Sequence, residues 1–221
     1  MGIYRVLTDF GAPGIALYLR WRRLRGKEDP VRFRERYGLS SLERLPGPLV
    51  WCHAASVGEA VSVLSLIEAL DRYFKDWQAL VTTGTVTSAG LLAARLPRSV
   101  IHQYMPVDRW ACVSRFLDHW RPDLALWVES ELWPNALEAL RMRKIPAVLL
   151  NGRMSAKSFR RWSFFRKWAR SMLGAFHLIC AQTETEANRF SALGANNVVC
   201  AGNLKYAAAA LPCDARELDG L

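Results

Sequence analysis

Two acidic residues sit where they could do chemistry. Glu59 closes the run His53-Ala54-Ala55-Ser56-Val57-Gly58-Glu59, and Glu129 opens Glu129-Ser130-Glu131-Leu132-Trp133-Pro134-Asn135. A carboxylate placed beside a reacting hydroxyl can take its proton, the ordinary work of a general base. The same spacing has a plainer meaning. Ser56 and Glu59 match the capping box S-x-x-E, which satisfies the free N–H groups at a helix start, and on spacing alone a cap is the commoner meaning. Gly58 permits close backbone approach, and a carboxylate in a first helical turn is favoured by the macrodipole. Ala54-Ala55-Ser56-Val57-Gly58 is also an A-x-S-x-G variant of the nucleophile elbow. That reading is weak, because the run follows the first strand and His177, which opens a predicted strand, has no evident acidic partner. Glu129 lies at the end of an apolar run, so it needs a partner or a function.

Three further stretches carry polar chemistry. Thr82-Thr83-Gly84-Thr85-Val86-Thr87-Ser88 could grip phosphate or sugar oxygens at a helix N-terminus, or could simply cap it. Neither G-x-G-x-x-G nor a P-loop lysine occurs, so nucleotide binding is not signalled. Asn151-Gly152-Arg153-Met154-Ser155 introduces a basic run. Residues 153–170 hold seven cations (Arg153, Lys157, Arg160, Arg161, Arg166, Lys167, Arg170) and no acid, which favours an anionic ligand or surface over a merely solvated helix face.

These residues need a frame to hold them. Short apolar runs recur at Leu49–His53, Ala79–Thr83, Val100–Tyr104, Leu124–Val128, Ala147–Leu150, Leu178–Ala181 and Val198–Ala201. Segments of helical spacing separate them at Val61–Arg72, Ser88–Arg95, Ala111–Trp120, Ala136–Arg143, Phe164–Leu173 and Glu184–Leu193. Continuous rather than alternating apolar runs indicate strands buried on both faces. The expected fold is α/β: a Rossmann-like parallel sheet with helices on both faces over residues 45–205. In such a sheet the chemistry gathers at the carboxyl ends of the strands, where each of the stretches above lies. Residues 206–221 read as a linker or tail.

Composition bounds the partners. The 221 residues are 51% hydrophobic and 23% charged, which excludes a disordered chain. A net charge of +10 indicates nucleic acid, an anionic membrane face or a phosphorylated substrate. Nucleic acid is disfavoured, since Phe164, Phe165 and Trp168 sit among apolar neighbours like core residues. The cysteines (Cys52, Cys112, Cys180, Cys200, Cys213) contain no C-x-x-C and read as reduced, structural thiols on the cytoplasmic side. Residues 1–27 form an apolar then basic segment: Ile3–Leu19, interrupted by Arg5 and Asp9, then Arg20, Arg22, Arg23, Arg25 and Lys27. That order is the reverse of a secretory signal and suits a short anchor on an anionic inner leaflet, with an ordinary packed helix as the alternative.

His53–Glu59, Glu129–Asn135, Asn151–Ser155 and Gly202-Asn203-Leu204-Lys205 occur in order, with Arg36-Tyr37-Gly38, Gln103–Asp108 and Arg121-Pro122-Asp123 between them. Together they resemble the N-terminal half of bacterial 3-deoxy-D-manno-octulosonic acid (Kdo) transferases, over nearly the whole chain. The departures are Gly152, where alanine is expected, and Gly84 in the threonine-rich turn. The resemblance implies the acceptor domain of a two-domain glycosyltransferase-B enzyme on the cytoplasmic face of the cell inner membrane. That enzyme moves Kdo from CMP-Kdo to a phosphorylated lipid A precursor in lipopolysaccharide core synthesis. It implies Glu59 as general base, Glu129 and Lys205 as transition-state stabilisers, and acceptor contacts at Ser56, Gly58, Arg153, Ser155 and Ser158. No cofactor and no metal are implied. The donor-binding C-terminal domain is expected to be absent, through a shortened form or a split enzyme, so the chain alone is expected to be inactive. The competing expectation is a non-catalytic basic module that binds membrane or nucleic acid. Burial of Glu59 inside a closed cap would weigh against catalysis, and an open position at the sheet edge would favour it.

Overall fold

The computed structural model describes residues 2–74, 76–93, 97, 100–129 and 132–204. Its strands are β1 (Leu49–His53), β2 (Gln78–Thr83), β3 (Val100–Tyr104), β4 (Leu124–Val128), β5 (Ala147–Gly152), β6 (Leu178–Ala181) and β7 (Val198–Cys200). All neighbours pair parallel, in the order β3-β2-β1-β4-β5-β6-β7. The chain winds outward one way from β1 and the other way from β4. Ligand crevices open at that reversal in sheets of this kind.

Helices α3 (Val57–Tyr73) and α4 (Val86–Ala93) cover one face of the sheet. The other face is covered by α5 (Trp110–Trp120), α6 (Pro134–Met142), α8 (Arg166–Leu173) and α9 (Glu184–Ala192). Strand alternation sorts the core between them. Trp51 and Trp127 point into the second layer against Phe116, while Cys52 and Val128 point into the first. Trp51, Trp120, Trp127 and Phe116 are all fully buried, and truncating any one to alanine should cost about 3–5 kcal/mol. This is the Rossmann-like sheet with helices on both faces that the apolar runs predict, and the first half of a glycosyltransferase-B fold.

The N-terminal segment is a pair of helices, α1 (Gly2–Phe10) and α2 (Ala12–Leu24), broken at Gly11. Pro13 is accommodated at the start of α2. It sits in the first turn, where proline's missing N–H costs nothing. Among the described residues, no helix is long and apolar enough to cross a membrane. The predicted helix over Phe164–Leu173 corresponds to α8 (Arg166–Leu173), and a helix not expected from the spacing, α7 (Ala156–Phe164), precedes it, the two meeting at Phe165. A 3₁₀ turn (Phe33–Tyr37) docks on α5 through Gly38, whose φ is +77°. A Cβ there would lie 2.0 Å from the Cys112 carbonyl oxygen, so only glycine fits.

Cys52 and Cys112 are buried, Cys180 is half-buried and Cys200 exposed, all free thiols, while Cys213 lies outside the described residues.

Candidate active site

β1 ends at His53 beside Trp127 of β4, so the chain enters α3 at the point of strand reversal. Ser56 is extended and caps α3, which begins four residues earlier than its apolar spacing predicts. The capping box is closed. Ser56 Oγ accepts from the Glu59 N–H at 3.3 Å and donates to Glu59 Oε1 at 2.7 Å. The Ala55 N–H donates to Glu59 Oε2 at 2.7 Å. Glu59 is 5% exposed, whereas Ser56 and Gly58 are open to solvent. Gly58 lies inside the first helical turn rather than in a tight turn before it, and its carbonyl accepts from Ser62 Oγ. Burial within a closed cap is the arrangement that weighs against a base. It is also one that holds a carboxylate in a single orientation, with each oxygen using only one of its two acceptor positions.

The neighbouring strands end in strain. Glu129 follows β4 with φ +58°, and Asn151 near the end of β5 has φ +55°. Left-handed backbone is costly for a glutamate and tolerated better by asparagine, and such outliers collect at functional sites. Glu129 is held there by its N–H on the Leu150 carbonyl, 2.9 Å. Asn151 is buried, and its Oδ1 accepts from the Leu204 N–H at 3.1 Å. Gln182 Nε2 donates to the Asn151 carbonyl. Asn151 thereby ties the chain leading to Lys205 back to the edge of the sheet. Lys205 itself, like Ser130 and Glu131, lies outside the described residues.

The three acceptor contacts expected after β5 fall together. Arg153 and Ser155 are exposed and Ser158 half-buried. Ser155 Oγ caps α7 by accepting from the Ser158 N–H at 3.1 Å, and also bonds the Ser158 hydroxyl. A Cβ on Gly152 would stand 3.2 Å from the Phe190 ring, so alanine there would require the ring to give slightly. On Gly84 a Cβ would come no nearer than 4.0 Å to the Ala55 carbonyl, so the second departure is sterically neutral.

The aromatic residues of this region overturn their core-like reading. Phe164 is 86% exposed and Phe165 61% exposed, at the junction of α7 and α8. No residue of α7 is buried. Apolar neighbours in sequence do not make a core when the helix has no second layer above it.

Other groups brace the edge and are hard to find from sequence. Glu35 accepts the Tyr104 N–H and pairs with Arg32, which also reaches the His102 ring and carbonyl. Glu28 is buried between Arg22 and Arg36, and Arg36 donates to the Met105 carbonyl. Asp108 caps α6 through the Asn135 and Ala136 N–H groups, and burial raises its carboxyl to about 6 against the pull of those bonds. Burial and the Asp108 charge push the Tyr4 hydroxyl well above its ordinary value. His53 is fully buried with Nδ1 3.0 Å from Thr82 Oγ1, and desolvation lowers it to about 3, so it is neutral. The signal for these residues is a polar side chain inside a strand or turn flanked by apolar ones. It marks burial but not the partner. Among the described residues, no group of three or more His, Cys, Asp or Glu is placed to hold a metal.

The profile of the family described as 3-Deoxy-D-manno-octulosonic-acid transferase (kdotransferase) matches residues 31–208. The chain is 40% identical over 208 residues to "Probable 3-deoxy-D-manno-octulosonic acid transferase, mitochondrial" of Arabidopsis thaliana, covering 92% of this chain and 46% of that protein. It is 35% identical to the 3-deoxy-D-manno-octulosonic acid transferase of Rickettsia bellii, covering 99% of this chain and 52% of the relative. The chain thus spans about half the length of the curated relatives it matches. Among solved structures, a putative UDP-N-acetylglucosamine 2-epimerase from Listeria monocytogenes superposes with a TM-score of 0.53 at 12% identity, over 72% of this chain and 45% of that one. At that identity the likeness concerns the fold alone. Matched over most of its length, the chain belongs to the Kdo transferase family and carries its N-terminal α/β domain.

Proposed function

We propose that this chain is the acceptor-binding half of a Kdo transferase, with Glu59 as its general base. The acceptor is a hydroxyl of a phosphorylated lipid A precursor and the donor is CMP-Kdo, in lipopolysaccharide core synthesis. Glu59 takes the proton of the acceptor hydroxyl as that oxygen bonds to the anomeric carbon of Kdo. The bond from that carbon to the phosphate oxygen breaks, and CMP leaves with the electron pair. Glu129 and Lys205 stabilise the charge that develops, as the resemblance implies. The donor belongs to the second half of the longer relatives, so 221 residues alone should not transfer.

The observation that carries this reading is the position of Glu59: an oriented carboxylate at the reversal point of the sheet, with the strained Glu129 ending the adjacent strand. Geometry in the unliganded state need not be the reactive one. Rotation of the exposed Ser56 hydroxyl alone would release Oε1. Arg153, Ser155 and Ser158, after β5, contact the acceptor, and the cations of residues 153–170 meet its phosphates.

Membrane contact is proposed for the cytoplasmic face of the inner membrane. Ile3, Val6, Leu7 and Phe10 lie exposed along one side of α1, and Leu17, Tyr18, Trp21 and Leu24 along α2. Two apolar helical stripes followed by cations fit helices lying in the interface of an anionic leaflet.

Glu59→Gln in the full-length enzyme tests the base role. Glutamine keeps the capping box, so the thermal midpoint should stay within a few degrees while transfer falls about 10²-fold or more. Near-normal turnover would leave Glu59 a helix cap and remove the base assignment.

A further inference from the structure

A crevice of about 440 Å³ opens beside this edge, between α2 and the strand ends. That size lies within the range of small-molecule sites. Its walls are chiefly apolar, with Ile15, Tyr18 and Leu19 from α2 facing Met105 and Val107 after β3. Ala55, whose N–H holds Glu59, forms one end. Among the described residues, three buried polar atoms of its lining residues have no hydrogen-bond partner: His53 Nε2, Trp133 Nε1 and Arg36 Nε, the last in ion-pair contact with Glu28 at 3.3 Å.

Unpartnered buried polar atoms are costly and rare in folded proteins. His53 is 1% exposed and already bonded at Nδ1, so Nε2 is its one open position. Trp133 Nε1 can only donate. The arginines on the lining are spoken for: Arg22 and Arg36 share Glu28, which is buried. Asp108 is committed to the start of α6. With the Arg36 charge met by Glu28, the atoms left open, His53 Nε2 and Trp133 Nε1, are neutral ones in an apolar setting. That combination suits a hydrocarbon chain carrying a hydroxyl, amide or ester, and suits a sugar phosphate poorly.

We propose that this crevice binds one acyl chain of the acceptor, with His53 Nε2 and Trp133 Nε1 gripping the neutral polar group near the head of that chain. The proposal rests on the reading that the acceptor is a lipid, and it makes His53 a positioning residue for specificity. A chain seated there would set the distance of the sugar hydroxyl from Glu59 by the reach from its amide or ester. The selection would act on chain length and linkage, independently of the phosphate-binding cations on α7 and α8.

The test uses the chain as it stands, with N-dodecanoylglucosamine and n-dodecyl glucoside as probes, each below its micelle-forming concentration. Calorimetry should show saturable binding of the amide about tenfold tighter than that of the glucoside, the yield of one to two neutral hydrogen bonds. His53→Phe should bring the two affinities together. A photoreactive diazirine at the chain end of the amide probe, used on the unaltered protein, should label Ile15, Tyr18, Met105 or Val107. Labelling confined to α7–α8, equal affinity for both probes, or an amide preference that survives in a folded His53→Phe protein would each overturn the proposal. No donor and no turnover enter these measurements. A failed crevice therefore leaves the transferase reading to the Glu59→Gln experiment, and a failed base assignment leaves the lipid site standing.

Discussion

The edge where β1 meets β4 and the helix pair α7 and α8 are built on opposite terms. At the sheet edge the buried carboxylates are committed: Glu59 to Ser56 and Ala55, Asp108 to α6, Glu35 to Arg32 and Tyr104. On the helix pair, phenylalanines stand in solvent among seven cations with no acid between residues 153 and 170. Proton transfer requires a group held within a few tenths of an ångström, which dense packing and hydrogen bonds provide. Contact with a lipid surface requires exposed apolar side chains and diffuse charge, and little order. On the proposed function, the first region does the chemistry and the second positions the molecule.

That contrast can be attacked from the rigid side first, where effects are largest. Gly38→Ala places a Cβ against the Cys112 carbonyl at a left-handed φ, so it should destabilise by about 3 kcal/mol or prevent folding. Chemical denaturation would read this, and a loss under 1 kcal/mol would show that the 3₁₀ turn is not seated as described. Asn151→Ala cuts the tie to Leu204 in a backbone that alanine tolerates poorly. In the full-length enzyme it should lower kcat about tenfold or more with KM for the donor little changed, since it displaces the approach to Lys205. An unaltered kcat would separate that segment from the reaction.

The soft side should respond to salt and lipid charge. Phe164→Ser with Phe165→Ser should leave the melting midpoint unchanged, because both rings are exposed, yet reduce partition onto phosphatidylglycerol vesicles severalfold. Raised salt should reduce the remainder, as each cation near the surface contributes about 1 kcal/mol that falls away within a Debye length. Vesicle binding indifferent to both would assign this helix pair another partner.

The smallest effect expected is on acid stability. His53 and His102 are lowered by burial to about 3 and about 4, so the unfolded chain binds their protons first as pH falls below the ordinary value of 6.5. Stability should therefore decline from pH 6.5 towards pH 4. Asp108, raised to about 6, opposes this, since its carboxyl is protonated in the folded state first and that gain is lost as pH rises through 6. Two histidines against one carboxyl leave a net decline. In His53→Phe the slope of melting temperature between pH 6.5 and 4 should flatten, and an unchanged slope would place the acid sensitivity elsewhere.

The strands were legible because a segment buried on both faces must be continuously apolar, as Leu124–Val128 and Leu178–Ala181 are. The order of motifs along those strands was enough to name the family. Capping chemistry was legible too, since Ser56 and Glu59 act across three residues and need no distant partner. What only the tertiary structure decided involves distant partners or the lack of them. Phe164 and Phe165 have an apolar neighbourhood in sequence, yet nothing among the described residues folds over them. Helix α3 starts at Val57, where a serine side chain ends the extended chain, ahead of any apolar periodicity. His53 reads as one letter of a motif until β2 supplies Thr82 and α2 closes a crevice in front of its free nitrogen. Local patterns specify which hydrogen bonds a residue makes with its near neighbours. The packing of distant segments decides which polar atoms stay buried and open, and those are the ones left for a ligand.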